Sequence, residues 1–316
     1  MAKNKFIAGD WGTSKLRLYL CEFAPDGESR VLESLSGPGV SQVPGEFEAT
    51  FFALAQAWFA AHDRLPVILS GMAGSTIGWR EAPYLQCPVS VDEVVGGRVT
   101  FAARGVEFSI VAGLKVSNPL GAADVMRGEE LQLLGWMRSQ PDSQGKAHII
   151  ALPGTHNKWV LSRNGVIETF LSALTGELFA LLNNHSVLIS DREAQRFSQQ
   201  AFMEGVKAVE QLDDAQLLHA LFSTRARQLL AELSSEDASS YLSGLLIGSD
   251  VVGATAVFRD LVPEYSEVTL IGDAVLSERY RLVLDHLGIA SSIGDTDKIA
   301  IAGYEAVYEN IYGDRK

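Results

Sequence analysis

Leu16, Leu18 and Leu20 alternate with Lys15, Arg17 and Tyr19, the period of two that marks a strand with one buried face. Just upstream, IAGDW (7–11) reads as the strand it pairs with, so the two predict a hairpin closed at Gly12-Thr13-Ser14. That closure is unusual. A short hairpin turn favours Asn-Gly or Asp-Gly, whereas this one sets an acid, a glycine and two hydroxyls around Trp11. SRVLESLS (29–36) predicts a third strand. Phe47, Phe51, Ala55 and Trp58, with Phe59 beside it, recur at helical spacing and predict an amphipathic helix over 46–62. PVILSGM (66–72) is a short, mostly apolar strand of the fully buried kind.

The same plan recurs further on. AHIIALPG (147–154) predicts a strand ending in a turn, NKWVLS (157–162) and GVIETFL (165–171) two more strands, with helices starting near Gly176. Setting GDWGTSKLRL over ALPGTHNKWVL aligns Gly12 with Gly154 and Thr13 with Thr155, an offset of 142 residues. Two related halves would set two Gly-Thr turns opposite each other across a cleft. Residues 190–260 read as helical, and Gly244, Gly248 and Gly253 suggest close packing, since a glycine inside a helix costs ~1 kcal/mol. VTLIGD (268–273) predicts a buried strand ending in Gly-Asp, followed by helices over 274–287 and 296–311. The domain boundary is expected near 142–146, at PDSQGK.

Charge and cysteine content narrow the chemistry. The 26 basic residues against 39 acidic ones leave −13, with no basic cluster, which disfavours nucleic acid and anionic lipid. Cys21 and Cys87 are too few for a disulfide framework or a thiolate metal site, and the six histidines show no ligand spacing. The start MAKNKFIAGDWG lacks the apolar core of a signal peptide. No apolar run approaches the ~20 residues that span a bilayer. A soluble cytoplasmic protein is expected.

Paired Gly-Thr turns suit a nucleoside triphosphate. They offer N–H groups and hydroxyls to phosphate oxygens, and glycine permits close approach. An acid in one turn, Asp10, can hold Mg²⁺ against the phosphates. A Walker sequence and a dinucleotide fingerprint are both absent.

The chain resembles the sugar-kinase branch of the actin, Hsp70 and hexokinase superfamily, and within it the 2-dehydro-3-deoxygalactonokinase family. The resemblance rests on DWGTSKLR (10–17), GMAGSTIGWREAPYLQCP (71–88), DVMRGEELQLLG (124–135), LPGTHNKWV (152–160), LTGELFALL (174–182) and YLSGLLIGSD (241–250), in that order. It implies an α/β fold of two ribonuclease H-like domains around a central cleft. The first would span 1–144, with helix 296–316 packing back onto it, and the second 145–295. It also implies a kinase that uses ATP and Mg²⁺ to phosphorylate a six-carbon 2-keto-3-deoxy acid on its 6-hydroxyl; the oligomeric state is open between monomer and homodimer. Asp10, Gly12, Thr13 and Ser14 would form the first phosphate loop, and Gly154, Thr155, His156 and Lys158 the second. Gly272 and Asp273 stand where the superfamily has its adenosine loop, usually a glycine pair. Asp124 is expected as the base, in place of or besides a helix-capping role, with Glu129 and Glu130 as alternatives. Arg127 binds a carboxylate or the transferring phosphate in this reading, or makes a surface ion pair. Ser75, Trp79 and Arg80 would line the sugar side. Trp11 is open between packing and substrate contact, and His156 between phosphate and turn. The gluconate epimer as substrate, an ATPase and a non-catalytic sugar sensor remain the rival readings.

Overall fold

The computed structural model describes residues 4–23, 29–62, 65–140, 145–193, 195–210, 212 and 216–313. They form two compact units. One comprises Met1–Gly145, Arg163–Thr169 and Asp295–Lys316, the other Lys146–Ser162 and Phe170–Gly294. The boundary expected at 142–146 falls largely on 141–144, outside the described residues.

In the first unit β1 (Lys5–Trp11) pairs antiparallel with β2 (Lys15–Glu22), Trp11 opposite Leu16, and β2 with β3 (Arg30–Pro38). The helix expected over 46–62 is two, α1 (Phe47–Leu54) and α2 (Gln56–Ala61), separated at Ala55. The break keeps Phe51, Ala55 and Trp58 all in one core, and Trp58 Nε1 donates to Glu33 Oε2 at 2.8 Å. There follow β4 (Val67–Gly71), β5 (Tyr84–Gln86), β6 (Val89–Ser90), α3 (Val91–Gly96), β7 (Val99–Ala103), β8 (Val106–Ile110), β9 (Gly113–Ser117), β10 (Ala123–Met126) and α4 (Glu129–Arg138). The main sheet runs β3-β2-β1-β4-β8-β7 and a smaller one β10-β9-β5. β1, β4 and β8 are mutually parallel, and their apolar residues are buried in a core with α1 and α2.

The second unit holds β11 (Ala147–Leu152), β12 (Asn157–Arg163), β13 (Val166–Ala173), α5 (Thr175–His185), α6 (Gln199–Glu210), α7 (Leu217–Leu229), α8 (Ala238–Leu261), β14 (Val268–Leu270), α9 (Ala274–His286) and β15 (Ser291–Ile293). Residues 163–169, including the start of β13, cluster with the first unit, where Val166 and Ile167 pair with Ser90 and Val89. The strand order β13-β12-β11-β14-β15 repeats β3-β2-β1-β4-β8, with β11, β14 and β15 parallel. The duplicated hairpin plan of the sequence is therefore a duplicated sheet order.

By length and composition α8 could cross a membrane, contrary to the expectation that no apolar run comes near that length, but 67% of its apolar window is buried inside the structure. It serves as the central helix of its unit. Gly244 and Gly248 let it approach α6, while Gly253 faces open space and has no such packing role. The last helix, α10 (Thr296–Tyr312), crosses α4 in the first unit.

Candidate functional site

The first Gly-Thr turn is closed by the Gly12 N–H donating to Lys15 O at 2.9 Å, and Thr13 and Ser14 are exposed. Residues 40–42 hold it from behind. The N–H groups of Val40 and Ser41 donate to Gly12 O (3.0 Å) and Thr13 O (3.1 Å). Ser41 Oγ also donates to Thr13 O (2.8 Å), and Gln42 Nε2 to Ser14 O (3.3 Å). Tying down the carbonyls fixes which side of the loop carries its hydroxyls. Gly39 makes this possible: a methyl group there would lie 2.3 Å from Thr13 O and from Ser14 C. Gly39→Ala is expected to displace the turn and raise the KM for ATP about tenfold or more, because overpacking costs about 1–3 kcal/mol and each 1.4 kcal/mol is tenfold. Steady-state kinetics with a parallel melting curve check this; a variant that melts lower with an unchanged KM would show that the buttress matters to folding alone.

Asp10 is a half-buried position near the end of β1, between the buried Gly9 and Trp11. Its Oδ2 accepts from Arg17 Nη1 at 3.3 Å, the residue opposite it on β2. Burial pushes the Asp10 carboxyl up, and the Arg17 guanidinium opposes that shift. Beside it a methyl on Gly71 would lie 3.1 Å from Asp10 Oδ1, and one on Gly128 would lie 3.4 Å from Gly71 Cα. Gly128 has φ 114°, a left-handed conformation that suits glycine. The start of α4 is thereby brought to the Asp10 corner. The described residues hold no group of three or more His, Cys, Asp or Glu fit to hold a metal. A lone carboxylate beside a turn with exposed hydroxyls still fits Mg²⁺, which commonly takes one or two carboxylates with substrate phosphates and water.

Arg127 reaches into the 72–84 segment. Its Nη2 donates to Ala82 O at 2.8 Å, its guanidinium lies 4.2 Å from the Tyr84 ring centroid, and its Nη1 is buried against Gly74 without a hydrogen-bond partner among the described residues. No ion pair is needed to hold it there. Ser75 is nearly buried, with Oγ donating to Met72 O at 2.8 Å, whereas Arg80 is exposed with its guanidinium 5.4 Å from the Phe101 centroid. One expectation is corrected and one weakened. Trp11 is 0% exposed and packs edge-on to Phe47 and Trp79, its Nε1 donating to Pro38 O at 3.1 Å, so it has no surface for substrate. Trp79 is half-buried and packs among Trp11, Phe51, Phe101 and Phe108, which favours the packing reading over stacking on a sugar chain.

Asp124 does not start a helix. It lies on β10 opposite Val116, and α4 begins at Glu129 behind Gly128, so the capping role is ruled out. Its Oδ2 accepts from Asn118 Nδ2 at 3.3 Å, and Asn118 in turn holds the β9–β10 turn through Oδ1. Glu130 is fully buried, its Oε2 accepting from the Gly128 N–H at 2.6 Å, and burial, reinforced by Glu129, pushes its carboxyl up to about 8. Fully buried and bonded to the Gly128 N–H, Glu130 is out of reach of a substrate hydroxyl. Glu129 is half-buried at the helix start, its Oε2 accepting the Arg127 N–H at 3.1 Å.

In the second unit the Gly154 turn rests on the start of α5. The Glu177 N–H donates to Thr155 O at 2.9 Å, and a methyl on Gly176 would come within 2.3 Å of Gly154 O. His156 pairs through Nε2 with Glu177 Oε2, which aims its ring along the turn. Gly272 packs against Pro153, and Asp273 caps α9 by accepting from the N–H groups of Val275 and Leu276. The turn, the α5 start and the 272–273 loop are thus brought together. Lys158 is corrected: it is 5% exposed with Nζ donating to Ser172 Oγ at 2.6 Å, so its ammonium serves the sheet rather than a phosphate. The sequence reading missed the 39–42 buttress, although GPGVSQ carries a Gly-Pro-Gly signal, and it missed Glu177, whose only signal is its place in LTGELFALL.

A family model described as 2-keto-3-deoxy-galactonokinase matches residues 10–307. The 2-dehydro-3-deoxygalactonokinase of Escherichia coli K12 is 35% identical over 92% of this chain and 94% of its own. A solved structure from Sinorhizobium meliloti, provisionally named a 2-dehydro-3-deoxygalactonokinase, superposes with a TM-score of 0.84 at 32% identity over 97% of this chain and 99% of its own. Component A of the Acidaminococcus fermentans (R)-2-hydroxyglutaryl-CoA dehydratase shares the fold alone, with a TM-score of 0.50 at 10% identity over 98% and 99% of the two chains.

Proposed function

The chain belongs to the 2-keto-3-deoxy-galactonokinase family, and on that footing we propose that it transfers the γ-phosphoryl group of ATP to the 6-hydroxyl of 2-dehydro-3-deoxy-D-galactonate. The observation that carries the reading is the repeated turn. The same five-strand order appears in both units, each with a Gly-Thr turn between its first two strands, and only the first carries an acid. One turn with a carboxylate and one without gives a triphosphate site a direction. Asp10 would hold Mg²⁺, which when bound neutralises charge on the β- and γ-phosphate oxygens. Thr13, Ser14, Thr155 and His156 supply donors to phosphate, and the 272–273 loop receives the adenosine.

Arg127 is assigned to the substrate carboxylate. An arginine fork matches a carboxylate, and Arg127 is half-buried and held on the 72–84 segment through Nη2 to Ala82 O. Arg80 and Ser75 complete the sugar side, with Arg80 providing local positive charge in a chain of net charge −13. Asp124, oriented by Asn118, is the proton acceptor for the 6-hydroxyl. A second reading gives that role to Glu129, and one observation favours it: Glu129 follows Gly128, whose backbone meets Gly71 beside Asp10, whereas Asp124 lies four residues upstream on an extended strand. The enzyme is proposed to act in the cytoplasm, as a monomer or homodimer.

The test is ADP release from Mg-ATP with 2-keto-3-deoxygalactonate, with 2-keto-3-deoxygluconate, and with neither. Release that depends on the galactonate acid is expected. Release that prefers the gluconate epimer would reassign the substrate, and release independent of sugar would mark an ATPase. No release under any condition would leave a sugar-binding sensor.

A further inference from the structure

Asp250 ends the stretch YLSGLLIGSD and stands midway along α8. Its carboxylate accepts four hydrogen bonds. Oδ2 takes Asn157 Nδ2 at 2.8 Å, Thr175 Oγ1 at 2.7 Å and Tyr280 OH at 2.6 Å, and Oδ1 takes Trp159 Nε1 at 2.9 Å. All four donors are neutral and all four residues are buried. Their places in the chain matter more than their number. Asn157 and Trp159 stand on β12, the strand that leaves the second Gly-Thr turn. Thr175 opens α5, next to the Gly176 that backs the same turn. Tyr280 lies on α9, the helix capped by Asp273 of the 272–273 loop.

Asp250 is half-buried, and a carboxylate set among buried groups is costly unless it is paired or hydrogen-bonded. A carboxylate can accept from several donors at once and offers none in return, which no amide or hydroxyl can match. One side chain thus ties together the three elements that carry the phosphate turn, its support and the adenosine loop. Hydrogen bonds that converge on one acceptor rigidify what they connect, here with Asn157 Oδ1 left without a partner among the described residues.

We propose that Asp250 is the positioning residue of the nucleotide half of the site: it holds the 154–156 turn, the start of α5 and the 272–273 loop in one fixed arrangement that ATP binding requires. This rests on the reading that those loops hold ATP. Asp250 touches neither substrate and acts through Asn157, Thr175 and Tyr280.

The test uses the full chain with Asp250→Ala, Asp250→Asn, Tyr280→Phe and Thr175→Val, each measured for Mg-ADP affinity by calorimetry, for both KM values and for melting temperature. Asp250→Ala is expected to weaken Mg-ADP and raise the KM for ATP about tenfold or more, because several buried donors lose their acceptor at once. The KM for the sugar acid should stay at its wild-type value. Tyr280→Phe and Thr175→Val should shift the same two quantities in the same direction by less, and they decide the matter if Asp250→Ala does not fold. Asp250→Asn should fall between, because rotating hydroxyls on Thr175 and Tyr280 can accept from the new amide. Variants that melt lower with wild-type nucleotide affinity, or that raise both KM values equally, would overturn the proposal and leave Asp250 a stability residue. Wild-type protein that binds no Mg-ADP would overturn the nucleotide reading itself, and this proposal with it.

Discussion

Asp10→Asn should lower kcat by about 10³-fold or more, since metal stabilisation of transition-state charge is worth several kcal/mol and each 1.36 kcal/mol is tenfold. The amide keeps the shape and the Arg17 contact but cannot offer the charge that holds a hard cation. Folding should be nearly untouched, because the Asp10–Arg17 pair is half-exposed and such pairs contribute about 0–1 kcal/mol. ADP release at saturating ATP and sugar acid, with a melting curve, separates the two effects. A variant retaining a tenth or more of wild-type kcat would remove Asp10 from the metal role. The same carboxyl predicts a pH dependence. Partial desolvation raises its pKa above the usual 3.8, so as pH falls through that raised value it takes up a proton and would release the metal proposed for it. The acid limb of kcat/KM for ATP should therefore lie above the ordinary aspartate range and be absent from residual Asp10→Asn activity.

The second large effect concerns the proton acceptor. Asp124→Asn is expected to lower kcat about 10²–10⁴-fold, the usual contribution of a positioned base, with both KM values near wild type. Glu129→Gln should be far milder. Asn118→Ala removes one of the hydrogen bonds that orient Asp124, leaving that from the Val125 N–H, and should lower kcat by less than Asp124→Asn. If Glu129→Gln instead carries the large loss, the acceptor is the carboxylate at the start of α4, beside the Asp10 corner. Glu130→Gln discriminates further. That residue cannot touch substrate, so its replacement should change the melting temperature rather than kcat.

Features of this protein that depend on near neighbours were legible along the chain. Alternation at 15–20 sets β2 on its edge of the hairpin, and the run PVILSGM is β4, because side-chain direction follows a period fixed by backbone geometry. The Gly-Thr turns, their offset and the absence of an acid from the second are equally local, and they set the first two strands of each unit side by side. Family membership was legible for the same reason: motifs such as DWGTSKLR are contiguous.

The tertiary structure alone decided which of those residues face outward and what stands behind them. Trp11 and Trp79 look like ligand contacts beside their motifs and prove to pack in and against the core, because burial is set by rings from α1 and β8 that sequence spacing does not place. Asp124 reads as a helix start until Gly128, packed on Gly71, moves that start downstream. Lys158 looks available until Ser172 takes its ammonium. Asp250 shows the limit most sharply. Its four donors lie 93, 91, 75 and 30 positions away, so no window along the chain contains the site it organises. A hydrogen bond forms between groups brought close in space, and for such residues only the packing of α8 against β12, α5 and α9 determines which groups those are.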